Sequence, residues 1–107
     1  MPSKRRSTAQ LSAVREYIDR LDEQLLRLLN RRAHFALEIG RIKKRRKWQV
    51  FDARREASVL RHVMSVNRGP LSPRAVRHVF QAILCECRRR ERSLKRPQRR
   101  LRDEVIG

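Results

Sequence analysis

Apolar residues fall at Leu11, Val14, Ile18, Leu21, Leu25 and Leu28, in alternating steps of three and four. That is the spacing of a helix packed lengthwise against another helix. The stripe continues less strictly through Leu29, Ala33, Ala36, Ile39 and Ile42, and no proline interrupts it before Pro70. Ser7, followed three residues later by Gln10, suits a capping box at its start. The pattern predicts one helix from about residue 8 to about residue 46, with Gly40 as its weak point. At ~1.5 Å per residue that helix is on the order of 57 Å long, whereas a compact domain of this size has a radius of gyration near ~13 Å. The rest of the chain is too short to cover it. A second copy is therefore expected along the stripe, its long helix running antiparallel. A helix broken near Gly40 and folded back into a monomer is the alternative.

Downstream, "KKRRKWQVFDA" breaks the periodicity and reads as a connection. A second helix is predicted from about Ala53 to about Val66, with Val59, Leu60, Val63 and Met64 inward. "NRGPLSP" ends it with Gly and Pro. Ser72 as N-cap and Pro73 at the first helical position open a third helix, which carries Val76, Val79, Phe80, Ile83, Leu84 and Cys87 and stops before Pro97. The fold class is thus all-α: three helices per chain, one very long and N-terminal, in an intertwined helical homodimer. Residues 1–96 read as the helical domain. Residues 97–107 read as a basic tail without an apolar face, expected to be frayed.

Composition supports the helical reading and adds a puzzle. Aromatics make up 5% of the chain and there are only 3 glycines, poor material for a β protein. Lys and Arg total 29 against 11 Asp and Glu, a formal charge of +18. Such a balance points to an anionic partner and says nothing of fold. "MPSKRRSTAQ" is basic but is not followed by an apolar signal core, and no window approaches ~18 uninterrupted apolar residues. A cytoplasmic location is expected. Cys85 and Cys87, two apart on a helix, point to different sides and do not pair with each other.

Some charged residues stand apart from the solvated faces. Arg15 lies on the first turns of helix one. Arg32 and Lys43 are eleven apart, which returns to nearly the same face after three turns. Arg55 opens the second helix beside Asp52 and Glu56, and on the third helix Cys87 and Glu91 are four apart and share a face. Taken singly, each of these is more often a surface charge or an ordinary helical pair. No Gly-rich phosphate loop, no metal-spaced His/Cys/carboxylate set and no nucleophile with an adjacent base is present in the sequence, so neither cofactor nor metal is expected. His34, His62 and His78 are scattered. An enzyme built from this set would have to work by binding and electrostatics.

The segments "LSAVREYIDRLDEQLLRLLNRRAHFALEIGRIKK", "VFDARREASVL", "NRGPLS" and "VFQAILCECRRRE" together resemble the all-helical chorismate mutase family. The match runs in order from about residue 9 to 93. Its specific parts are the Arg-x-x-Ile-Asp opening, Glu-Ile-Gly-x-x-Lys and Asp-x-x-Arg-Glu. The resemblance implies intertwined dimers of three-helix chains. It also implies a reaction, the one-step rearrangement of chorismate, a dicarboxylate, to prephenate. The family pattern implies that Arg15 reaches across the dimer to a substrate carboxylate in the partner's site. Arg32 would bind a carboxylate within its own subunit, and Lys43 would donate to the ether oxygen and a carboxylate. Asp52 through its backbone and Glu56 through its carboxylate would hold the ring hydroxyl, with Arg55 helping at that end. Cys87 would line the pocket near a carboxylate. Glu91 would be the second contact to the ether oxygen and must then be protonated, because a carboxylate cannot donate a hydrogen bond.

Two other readings remain. One is isochorismate pyruvate-lyase on the same fold, which would share the cationic positions. The other is a small basic helical nucleic-acid-binding protein, which accounts for the charge but leaves Asp52, Glu56 and Glu91 among the cations unexplained, and Trp48 and Tyr17 are too isolated to stack bases. The basic stretch Cys87 to Arg102 departs from what the rearrangement needs. It reads as a solvated face and tail, with docking to nucleic acid or an acidic protein the less favoured use.

Overall fold

The computed structural model describes residues 2–94. Among these there are three helices and no strand: α1 over Pro2–Arg46, α2 over Ala53–Val66 and α3 over Pro73–Ser93. The basic tail, residues 97–107, lies outside the described residues.

Local chemistry accounts for the boundaries. α2 begins where the Asp52 side chain accepts a hydrogen bond from the Arg55 backbone N–H at 3.0 Å, and the Asp52 carbonyl accepts from Glu56 N–H at 3.0 Å. α3 begins the same way: Ser72 Oγ accepts from Ala75 N–H at 3.1 Å, and Pro73 occupies the first turn, where its missing N–H is not needed. Between them Asn67 organises the turn. Its Oδ1 accepts from Gly69 N–H at 3.0 Å and its Nδ2 donates to the Leu71 carbonyl at 2.8 Å.

The start of α1 differs from the expectation. The helix is already formed at Pro2, so Ser7 and Gln10 lie inside it and make no capping box. Nothing between Pro2 and Ser7 breaks a helix, and Thr8 answers its polar group by donating Oγ1–H to the Lys4 carbonyl, one turn back, at 3.0 Å. Gly40 does not break α1 either.

The end of α1 is a Schellman turn. Trp48 N–H donates to the Lys43 carbonyl at 2.8 Å and Lys47 N–H to the Lys44 carbonyl at 3.2 Å. Lys47 takes the left-handed conformation, φ 59°, usually left to glycine. The chain reverses there and brings Val50 inward, where it is buried.

The chain divides into two units, residues 1–31 and the remainder. In the first, the apolar stripe Leu11, Val14, Ile18, Leu21, Leu25 and Leu28 is 48–60% exposed. In the second, Ala36, Val50, Val59, Val76 and Leu84 form a small buried core contributed by α1, the connection, α2 and α3. Gly40 fits this core closely: a Cβ there would lie 2.9 Å from Leu94 Cδ1 and 3.2 Å from Glu91 Cα. The residue read as a weak point is where α3 packs closely on α1 at Glu91.

Candidate active site

A cavity of about 200 Å³ opens within residues 32–94. Its apolar walls are Phe35, Ala36 and Ile39 from α1, Val50 from the connection, Val59 from α2 and Leu84 from α3. Its polar lining is Arg32, Lys43, Asp52, Arg55, Glu56, Cys87, Arg88 and Glu91. Seven of the eight residues singled out in the sequence therefore meet on one cavity. The eighth, Arg15, belongs to residues 1–31 and is not among the lining residues.

Lys43 and Glu91 form one end of the polar lining. Lys43 Nζ donates to the Val50 carbonyl at 2.6 Å and stands 3.5 Å from Glu91 Oε1. An ammonium has three N–H donors. The Schellman turn brings one acceptor to it, Glu91 offers another, and the third donor is left for the cavity. Glu91 is buried, the one buried charged residue among the described residues. Burial raises its pKa above the ordinary value of 4.5, with the neighbouring Glu56 charge adding to the rise. Lys43, and more weakly Arg32, oppose that rise without cancelling it. The carboxyl is thus drawn toward its neutral form, in which it can donate a hydrogen bond.

Arg32, lower on α1, donates from Nη1 to Cys87 Sγ at 3.1 Å. The thiol is a weak acceptor, and a guanidinium has five donors, so most of its donor capacity stays available. Arg55 is exposed at the cavity margin, and its backbone N–H is the one that Asp52 caps.

At the other end, Glu56 is held by a residue the sequence reading left in the solvated basic run. Arg88 Nη1 donates to both Glu56 oxygens, at 3.0 and 2.9 Å, with the two side chains 23% and 24% exposed. The Arg88 guanidinium lies 5.0 Å from the Phe51 ring centroid, within cation–π range. The signal for it was present. Leu84, Cys87, Arg88 and Glu91 follow the i, i+3, i+4, i+7 spacing of one helix face. Surrounded by Arg89, Arg90 and Arg92, it read as part of a charge run. Arg89 behaves as expected of such a run, pairing with Glu86 at 3.3 Å with both side chains about 70% exposed. Lys44, near the end of α1, is exposed yet donates to the Leu94 carbonyl at 2.7 Å.

The lining thus holds four fixed cations, Arg32, Lys43, Arg55 and Arg88, against three carboxyl groups, Asp52, Glu56 and Glu91. With all ionised the surplus is one positive charge; with Glu91 neutral it is two. Such a cavity suits a small dianion, and its donors suit an acceptor atom that gains negative charge.

Comparison with known proteins gives a consistent picture. The family model described as chorismate mutase type II matches residues 14–92. The bifunctional chorismate mutase/prephenate dehydratase of Pseudomonas aeruginosa is 38% identical over 91 residues, covering 80% of this chain and 25% of that protein. That of Neisseria gonorrhoeae is 40% identical over 80 residues, covering 75% of this chain and 22% of that protein. The chain therefore spans about a quarter of the length of these curated relatives. Among solved structures, a chorismate mutase of Thermus thermophilus superposes with a TM-score of 0.76 at 29% identity, covering 78% of this chain and 94% of that one.

Proposed function

This chain belongs to the chorismate mutase type II family, and from that premise we propose that it rearranges chorismate to prephenate. The observation that carries the reading is the cavity's charge: cations around a buried carboxyl that burial keeps toward neutrality. In the rearrangement the ether C–O bond breaks as a C–C bond forms, within one molecule. No group attacks and no proton is transferred. Two things lower the barrier. The flexible enolpyruvyl arm must be held over the ring, and negative charge growing on the ether oxygen must be met by donors already in place.

The lining supports the roles that the family resemblance implies. Arg32 grips one carboxylate, as a guanidinium can do with two parallel hydrogen bonds. Lys43 directs its remaining N–H to the ether oxygen. Glu91, protonated, donates to the same oxygen. Asp52 through its backbone and Glu56 through its carboxylate receive the ring hydroxyl, with Arg55 beside them. Cys87 lines the carboxylate end. The ring end and the ether end thus sit on opposite carboxyl groups of one cavity.

Residues 1–96 constitute the mutase domain in this reading, residues 97–107 a basic tail, and the protein works in the cytoplasm. No helix among the described residues is long and apolar enough to cross a membrane. A second copy covers the exposed Leu11–Leu28 stripe, and its Arg15 supplies a further carboxylate contact. Supporting this, among the described residues five buried apolar residues make a thin core at about 1.5–3 kcal/mol per Val or Leu side chain, while an apolar row as long as the stripe is rarely left in water.

The test is chorismate loss followed by absorbance, with isochorismate as the competing substrate and sedimentation for the oligomeric state. Prephenate formation from chorismate by a dimer is expected. Turnover of isochorismate alone, or a stable monomer, would overturn the corresponding part of the reading.

A further inference from the structure

Arg88 is set apart from the other basic residues of α3. It lies one helical turn after the buried Leu84 and three residues before the buried Glu91, so it faces the cavity. Its guanidinium joins three elements: it projects from α3, rests on the ring of Phe51 in the connection at 5.0 Å, and holds Glu56 of α2 through both oxygens. The exposed Arg20 also lies over a ring and near a carboxylate, but both belong to its own helix. Because Arg88 Nη1 straddles both Glu56 oxygens, each oxygen keeps a lone pair. Glu56 can therefore still accept a hydrogen bond from a hydroxyl while its rotamer is fixed.

We propose that Arg88 is a positioning residue for the substrate's ring end: seated on Phe51, it aims the Glu56 carboxylate at the ring hydroxyl and sets how tightly that end is held. This rests on the reading of the cavity as a chorismate site. It makes one prediction that a purely structural role does not. Arg88 should act through Glu56, and mainly on binding shared by ground and transition states, so its loss should appear in KM more than in kcat.

The experiment is steady-state kinetics on chorismate with wild type, Arg88→Met, Arg88→Lys, Glu56→Gln and the double variant Arg88→Met/Glu56→Gln. Arg88→Met is expected to raise KM about tenfold with kcat within about threefold, the scale of one lost charged hydrogen bond. Arg88→Lys should recover only part of that loss, since an ammonium keeps the charge but not the planar seat on Phe51. In the Glu56→Gln background, Arg88→Met should add less than about twofold, the sign of two residues acting as one unit. Arg88→Gln replaces Arg88→Met if circular dichroism shows the latter unfolded. An unchanged KM, or a full tenfold loss persisting beside Glu56→Gln, overturns the proposal. The wild-type control separates the two levels. No turnover of chorismate by the wild type overturns the functional reading as well, whereas wild-type turnover with unaltered variants overturns the role of Arg88 alone.

Discussion

Two acid–base pairs line the same cavity and are built differently. Glu56 and Arg88 are in close contact, at 2.9 and 3.0 Å through both carboxylate oxygens, and partly open to water. Lys43 and Glu91 stand 3.5 Å apart and are more deeply enclosed. In the first pair the two charges hold each other in place through both carboxylate oxygens, each of which keeps a lone pair. The second is left under-bonded, with a spare donor on Lys43 and a carboxyl held toward neutrality by burial. On the proposed reading one pair fixes geometry, and the other keeps donors ready for charge that appears only during reaction.

Breaking the second pair at Lys43 should have the largest effect. Removing one preorganised donor typically costs about 10²–10³-fold in kcat, and Lys43 also holds the connection through the Val50 carbonyl. Lys43→Ala should therefore lose at least about 10³-fold in kcat on chorismate. A loss confined to KM would show that Lys43 binds without stabilising the transition state.

A smaller effect is expected from the packing that sets the distance between the pair. Gly40 lets Glu91 of α3 come close to α1, since even a methyl group there would stand 3.2 Å from the Glu91 Cα. Gly40→Val should push the helices apart, cost about 1–3 kcal/mol by thermal unfolding, and lower kcat while leaving the Glu56–Arg88 end largely intact. Equal stability and activity would mean that the contact yields without consequence.

The mildest change sharpens the comparison from the other side. Lys47 holds the left-handed turn that carries Val50 to Lys43. Lys47→Gly should relieve backbone strain and stabilise the fold by up to about 1 kcal/mol in thermal unfolding, with turnover unchanged. Destabilisation would mean that the lysine side chain contributes more than its backbone costs.

These residues also show what the sequence made legible. Asp52, Ser72 and Pro73 marked the starts of α2 and α3 because capping is local chemistry. The Leu11–Leu28 stripe announced a long helix because its period persists. Lys43, Asp52, Glu56 and Glu91 stood out by spacing and then by family pattern, and the fold brings them to one cavity. Arg88 was hidden by its neighbours: in a run of arginines, identity carries no information and only the offset from Leu84 and Glu91 does. Gly40 was misread because its meaning is non-local, set by Glu91 and Leu94 more than fifty residues away. Lys47 gave no signal at all, since a lysine in a left-handed turn looks like any other lysine. The early start of α1 was missed because a plausible capping box at Ser7 lay within a longer helix-compatible stretch.

On the proposed reading Glu91 works as a neutral acid, and kcat measured against pH in wild type and Glu91→Gln tests that most directly. A carboxyl whose folded pKa is raised favours the folded state below its ordinary value of 4.5 and loses that contribution as pH climbs through the raised pKa. The same titration removes its donor. Wild-type kcat should therefore fall as pH rises through that pKa, while the Glu91→Gln profile, whose amide donates at every pH, should run flat across the same range. Parallel profiles in the two proteins would contradict the neutral-acid role.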